Sequence, residues 1–391
     1  CGFDSHPGHQ RRSLVTFMLS SDSRITGTAA WRIPVLLVAL WSLPPTAQEA
    51  GSEVLITNQM CSGLFMVPLA WDSKDGETHQ LLALFDTGAT NAFIDPDSLE
   101  RISGMRLDTG TRAVMQDLTV AGLQFSKFRP RVRELDHLGR ALGRDFDVFL
   151  PFETFDNFLL TLDYGKKEIR VSRGELPRPD GERIYSSKGS DSRPWIKVEV
   201  GSRTRRLLID SGSNGTISVK SHRSIRFAGE AVPISLSQGM SDLELRYIGR
   251  YDGEMQIGPS VFANPIVGIT TDTELLGYDV LRHFVLTFDQ KNRRVRMAPI
   301  GDTPPVMEPR TGSGALMRPR DEGFEVAYVV TGSPAEASGI AVGDLVTRVD
   351  GTPVYERGCR DGERPVGPVE YTVLRDNQEI IITSKNSILL H

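Results

Sequence analysis

Two blocks of this chain repeat one another at a nearly constant distance, and that duplication restricts the fold more than any other feature. The first block runs Met66-Val67-Pro68-Leu69, a polar turn at Ser73-Lys74-Asp75-Gly76-Glu77, then Leu81-Leu82-Ala83-Leu84-Phe85-Asp86-Thr87-Gly88. The second runs Trp195-Ile196-Lys197-Val198-Glu199-Val200, a turn at Gly201-Ser202, then Leu207-Leu208-Ile209-Asp210-Ser211-Gly212. Further on, Asn157-Phe158-Leu159-Leu160-Thr161-Leu162-Asp163-Tyr164 is echoed by His283-Phe284-Val285-Leu286-Thr287-Phe288-Asp289-Gln290. Asp86 and Asp210 are 124 residues apart, and Phe158 and Phe284 are 126 apart. Matching blocks at one offset predict a duplicated unit of about 120 residues. Each block reads as an apolar strand, a turn and a second apolar strand, so both units are expected to be mainly β. Helices are expected only as short pieces, one beginning near Asp97 and one around Asp279 to Arg282. The units span 53–174 and 182–300, joined by the polar stretch Gly174-Glu175-Leu176-Pro177-Arg178-Pro179-Asp180-Gly181. A second Pro-rich stretch, 301–311, reads as a linker with exposed backbone and leads to a C-terminal segment, 312–385.

Asp86 and Asp210 each end an apolar strand, where an unpaired carboxylate is costly. A single Asp after a strand often only caps a turn. Two in equivalent places of a duplicated unit suggest instead a pair brought together at the junction. Such a pair shares one proton, which places an acid and a base in one site. A third copy of the tripeptide, Asp108-Thr109-Gly110, has no apolar run before it and no counterpart in the second unit, so it reads as a turn.

The two units resemble aspartic proteases of the pepsin and retropepsin type, in the bacterial single-chain form. The resemblance covers about residues 53–299. It rests on Asp86-Thr87-Gly88-Ala89-Thr90, on Asp210-Ser211-Gly212-Ser213-Asn214, and on Leu275-Leu276-Gly277-Tyr278-Asp279 before the final strand. It implies a bilobal fold with a cleft between the lobes, Asp86 and Asp210 as catalytic dyad, and neither metal nor organic cofactor. It also implies that Thr87 and Ser211 hydrogen-bond across the lobe junction. Gly88 and Gly212 would let the loops bring backbone amides to the carboxylates. The first lobe departs from the pattern, since Leu150-Pro151 stands where the second has Leu276-Gly277. Residues Gly139 to Gly143 are the candidate, by position, for the hairpin that covers substrate in this family.

The C-terminal segment carries a second resemblance. Gly332-Ser333-Pro334-Ala335-Glu336-Ala337-Ser338-Gly339-Ile340, then Val342-Gly343-Asp344-Leu345-Val346 and Val349-Asp350-Gly351-Thr352-Pro353-Val354, is similar to a PDZ domain of the bacterial protease-associated kind. Pro334 and Ala335 suit a short helix, Gly339 its end, and Asp350-Gly351 a hairpin turn. The resemblance implies an extended peptide added at a sheet edge, its C-terminal carboxylate held by Gly312, Ser313, Gly314, Ala315 and Leu316.

Net charge is −5, which argues against a nucleic-acid-binding protein. No HExxH, GxSxG or Walker loop occurs, and the seven His show no ligand spacing. His137, His222 and His283 read as surface or structural residues, and the run Arg203 to Arg206 as a solvated turn. Cys1, Cys61 and Cys359 lie far apart with no CxxC, which argues against a disulfide scaffold and a zinc-thiolate site. The apolar run from Ile33 to Leu43 follows Arg32 and is too short to span about 30 Å of bilayer, so 1–50 reads as an extension with a signal peptide, Met18 being a plausible start. Export to the periplasm or the exterior is expected, that segment being cleaved or kept as an anchor.

The expected function is therefore an aspartic endopeptidase acting on extended polypeptides, with a PDZ domain for peptides or protein C-termini. No dimer is needed for its dyad. A non-catalytic bilobal peptide-binding protein is the alternative. Ser213, as a donor to Asp210 that Ala89 does not match, is expected to leave Asp210 ionised and the shared proton on Asp86.

Overall fold

A computed structural model describes residues 53–73, 76–125, 128–200, 203–220, 225–238, 243–359 and 365–391. The N-terminal apolar segment and His222 lie outside these residues. The described chain is mainly β, with curled sheets and four short α-helices: α1 (Pro96–Ser103), α2 (Asp136–Leu142), α3 (Tyr278–Leu281) and α4 (Pro334–Ala337).

The two repeats build the same strand arrangement. Strand Thr78–Asp86 lies between Leu64–Asp72, antiparallel, and Val148–Pro151, parallel, with Phe85 opposite Leu150. Strand Arg203–Ile209 lies between Trp195–Val200, antiparallel, and Leu275–Leu276, parallel, with Ile209 opposite Leu276. The ends of both middle strands are covered on both faces, and Leu84, Phe85, Leu208 and Ile209 are buried. That double burial explains why each reads as a continuous apolar run rather than an alternating one. The echoed segments meet each other directly. Leu159–Asp163 pairs antiparallel with Phe284–Asp289, Thr161 opposite Thr287, and the two threonine hydroxyls are 3.2 Å apart. Equivalent residues facing one another in an antiparallel pair define a local twofold axis between the halves.

Local chemistry accounts for the helices. Asp95 caps α1 by accepting from the amides of Asp97 and Ser98, Pro96 opens it, and Gly104 ends it in the left-handed conformation. Ser333 caps α4 in the same way.

The C-terminal sheet runs in the order Arg310–Gly312, Gln378–Leu390, Gly367–Arg375, Leu345–Val349, Phe324–Val329, Ala315–Pro319, which leaves Ala315–Pro319 at an edge. It has its own core, in which Val326, Ala335, Val346 and Val373 are fully buried.

Four expectations are corrected. The expected covering hairpin at 139–143 is instead the end of α2, whose leucines Leu138 and Leu142 pack on Cys61 and Leu64. Gly143 closes that helix at φ 80°, and the carbonyl oxygen of Gly358 lies 2.1 Å from where its Cβ would be, so the position requires glycine. The expected linker is anchored. Met307 is buried in the core of the second half, where its Sδ accepts from the amide of Ile266 (3.1 Å) and its carbonyl from Arg250 (2.8 Å). Proline and glycine announce turns, and they do not prevent one apolar side chain from finding a pocket. The cysteines also pair, since Cys61 is disulfide-bonded to Cys359 with their Cα atoms 5.0 Å apart, across 298 residues. Finally, Arg203 to Arg206 form part of strand Arg203–Ile209, and Arg205 is ion-paired with Glu274 at 2.5 Å.

Candidate functional site

The loops after the two middle strands meet on the twofold axis and interlock. The amide of Thr87 donates to Ser211 Oγ (3.0 Å), and the amide of Ser211 donates to Thr87 Oγ1 (2.9 Å). Thr87 Oγ1 donates in turn to the carbonyl of Ile209 (2.7 Å), and Ser211 Oγ to the carbonyl of Phe85 (3.2 Å). Both side chains are fully buried. All four groups satisfy one another across the junction, which leaves no orphan donor inside it.

This exchange sets Asp86 and Asp210 side by side, and their carboxyl groups hydrogen-bond one another. Each also accepts from its own loop: the Gly88 amide reaches Asp86 Oδ1 at 2.6 Å, and the Gly212 amide reaches Asp210 Oδ1 at 3.0 Å. The glycines are required by space. A Cβ on Gly88 would lie 2.6 Å from the carboxyl carbon of Asp210, and one on Gly212 would lie 2.3 Å from that of Asp86.

Burial pushes both carboxyls above the usual carboxylate range. On Asp86 the amides of Gly88, Ala89 and Gly212 oppose that rise by stabilising the charged form. On Asp210 the neighbouring charge of Asp86 adds to burial, against the Gly212 amide and the more distant positive charge of Arg193, and its pKa stands well above normal. Both carboxyls are thus held above the ordinary range, and their titration belongs to the pair. The hydrogen bond expected from Ser213 is not the one it makes. Its hydroxyl accepts from the amide of Gly215 (3.3 Å) rather than donating to Asp210.

A pH dependence of stability follows. A carboxyl with a raised folded pKa contributes stability that is full below its unfolded pKa of about 3.9 and is lost as pH rises through the folded value. Asp210→Asn carries no such group. We expect its melting temperature to exceed wild type at pH 7 and the gap to close as pH falls to about 3. A gap that widens in acid would refute the raised pKa of Asp210.

The other residues singled out from the sequence fall in distinct places. Thr90 and Asn214 are exposed at the loop rims, and Thr90 Oγ1 accepts from Asn91 (3.0 Å). The Ala89 amide closes its turn on the carbonyl of Asp86 (3.3 Å). Asp108 is exposed in a turn away from the pair. Pro151 lies opposite Asp86 in the parallel ladder and has no amide hydrogen to give. Its counterpart Gly277 donates to the carbonyl of Thr216 (3.0 Å), so only the second half gains that tie to its Asp loop.

Arg193 was not anticipated. It donates to the carbonyl of Gly88 (3.1 Å), is ion-paired with Asp191 (2.7 Å), and its guanidinium carbon stands 5.2 Å from the centre of the Trp195 ring. At the 124-residue offset the first repeat has Leu69, so the duplication carried no trace of it; the only signal was a cation before Pro194-Trp195 at the start of a strand.

A cavity of about 1600 Å³ is lined by Gly88, Arg193 and Asp210 at one end and extends to the C-terminal sheet, where Ala315, Leu316 and Met317 line it. Gly312, Ser313 and Gly314, just before that edge strand, border the same space. Strand Val232–Gln238 of the second half and helix α2 both pack near the edge strand, and Ile234, Leu236 and Ala141 border the same cavity. Among the described residues no cluster of His, Cys, Asp and Glu could hold a metal ion.

Residues 325–361 match the family model of the PDZ domain. No curated protein matches the chain. The matched residues comprise most of strand Phe324–Val329, helix α4, strand Leu345–Val349 and the segment reaching Cys359. The chain thus contains a PDZ domain, a module that fits peptide or C-terminus binding.

Proposed function

We propose that this chain is an aspartic endopeptidase of pepsin-like bilobal architecture whose PDZ domain engages the polypeptides it cleaves. The observation that carries this reading is the reciprocal Thr87–Ser211 exchange holding two hydrogen-bonded carboxyls on a local twofold axis. Two half-buried carboxyls side by side, both with raised pKa values, leave an acid and a base poised together.

In the proposed reaction a water between the carboxyls loses a proton to ionised Asp86 as its oxygen attacks the peptide carbonyl carbon. Asp210 gives its proton to the carbonyl oxygen, forming a neutral tetrahedral diol. Asp86 then gives its proton to the amide nitrogen while Asp210 takes one back from a diol hydroxyl, the C–N bond breaks, and an acid and an amine leave with the dyad restored. Extended substrate would lie in the cavity, its C-terminal side toward the PDZ edge strand Ala315–Pro319, where a peptide can add as a further strand. The Cys61–Cys359 disulfide supports the export reading, because such bonds persist in oxidising compartments.

The test is hydrolysis of an unfolded, alkylated protein from acid to neutral pH. Asp86→Asn and Asp210→Asn are each expected to lower the rate by about 10²–10⁴-fold, the range for removing a general acid or base. A wild-type chain that binds the substrate and cleaves none would leave the non-catalytic peptide binder, which Pro151 favours by untying the first Asp loop.

A further inference from the structure

The segment that enters the PDZ domain also touches the loop of Asp210. Arg310 begins strand Arg310–Gly312, two residues ahead of Gly312, Ser313 and Gly314. That turn is firmly built: the Ser313 carbonyl accepts from the amide of Ala335 (2.8 Å), and the Gly314 carbonyl accepts from that of Val330 (2.9 Å). Gly314 has φ 89°, and Ser333 Cβ lies 2.3 Å from where its own Cβ would be. The guanidinium of Arg310, beside this turn, is ion-paired with Asp279.

Asp279 is buried on α3, and the backbone around it holds the second dyad loop. The amide of Asp279 donates to the carbonyl of Gly215 (3.1 Å), that of Tyr278 to Ser213 (2.9 Å), and that of Gly277 to Thr216 (3.0 Å). A continuous run of contacts therefore leads from the PDZ turn through Arg310 and Asp279 to the loop that positions Asp210. Asp279, Arg310 and the turn border one cavity with Asp210.

We propose that Asp279 is an internal stand-in for the carboxylate of a peptide C-terminus. A free C-terminal carboxylate arriving at residues 312–316 competes with Asp279 for Arg310 and so acts on the Asp210 loop. The proposal rests on the peptidase reading for its consequence, though not for the competition itself. The physical basis is the imbalance left behind: once Arg310 turns to the incoming carboxylate, buried Asp279 loses its counter-charge, and the α3 backbone that carries it must adjust. The incoming peptide thus binds more weakly than the site intrinsically allows, and occupancy of the PDZ site and of the dyad become linked in both directions.

The experiment uses the full chain and a fluorescent, leucine-terminated peptide, prepared as free acid and as C-terminal amide; apolar Leu316, Phe324 and Val346 border the cavity there. Wild type is expected to prefer the acid. Asp279→Asn should tighten the acid about tenfold, within the usual range of coupling, and leave the amide unchanged. Arg310→Gln should abolish the preference and Arg310→Lys keep part of it, both judged at a melting temperature near wild type. Unchanged acid affinity in Asp279→Asn, a preference surviving in Arg310→Gln, or wild type binding neither peptide would overturn the proposal. Should Asp279→Asn fail to fold, the arginine variants decide the same point. In a second arm, the acid peptide is added during cleavage of an internal, amidated reporter, where a severalfold rate change is expected in wild type and none in Arg310→Gln. A wild type that cleaves nothing removes the peptidase reading while the binding arm still decides the competition.

Discussion

Gly212→Ala is expected to destabilise the protein by about 1–3 kcal/mol or more and, under the proposed peptidase function, to lower turnover at least about 100-fold. The added methyl would stand 2.3 Å from the Asp86 carboxyl carbon and 2.6 Å from both of its oxygens. Those atoms have little freedom to retreat, because Asp86 Oδ1 is held by the Gly88 amide and the carboxyl is bonded to Asp210. Either the carboxylate swings away and breaks the pair, or the loop moves and strains the Thr87–Ser211 exchange. Gly229→Ala is the control, since no atom lies within 4 Å of its added methyl, and a change within about 0.5 kcal/mol is expected. Denaturant melts of the two variants, with turnover on the unfolded substrate, check both effects. Gly212→Ala with wild-type stability would show that the carboxylates do not lie so close.

Cys359→Ser is expected to lose about 2–5 kcal/mol of stability, as does removal of other native disulfides. The bond closes a chain separation of 298 residues and joins the segment between strands Leu345–Val349 and Gly367–Arg375 to the first half. Around Cys61 the apolar groups of Leu64, Met66, Leu84, Leu135 and Phe146 are packed, with Cys359 against them, so serine would also bring a hydroxyl into an apolar cluster. Reduction with a dithiol separates the two causes. It should lower the wild-type melting temperature and leave that of Cys359→Ser unchanged. A wild type indifferent to the dithiol would mean that the cysteines are not joined in the folded protein. Other ties reinforce the junction, among them the Arg140–Asp321 ion pair (2.6 Å) and the burial of Met307, so its loss should loosen the PDZ domain rather than free it.

Some of this molecule was legible in its residues alone. Asp86 and Asp210 stood out because duplication repeats a local pattern, and a pattern repeated at one offset marks positions that symmetry brings together. The nearly equal offset of the second echo, 126 residues, paired Thr161 with Thr287, which face each other in the structure. The start of α1 near Asp97 and that of α4 at Pro334 were readable from the residues around them, because capping is a matter of a few neighbouring backbone groups. The PDZ segment likewise announced itself through its turn residues and its short helix.

What the residues did not carry was anything that breaks the symmetry or crosses the chain at long range. The amides reach the two carboxyls at unequal distances, 2.6 and 3.0 Å, and the serine that the sequence offered as a donor to Asp210 accepts from the Gly215 amide. The Cys61–Cys359 bond, the seat of Met307, the helical form of 136–142 and the Arg310–Asp279 pair each join segments whose separation along the chain says nothing of their separation in space. Periodicity and turn chemistry act over a few residues, so the sequence alone determined the strands, the caps and the two equivalent aspartates. Packing and low-dielectric electrostatics act between whatever groups the finished fold brings together, and only the tertiary structure decided how the halves are locked, how the two carboxyls are held and how the PDZ domain is attached.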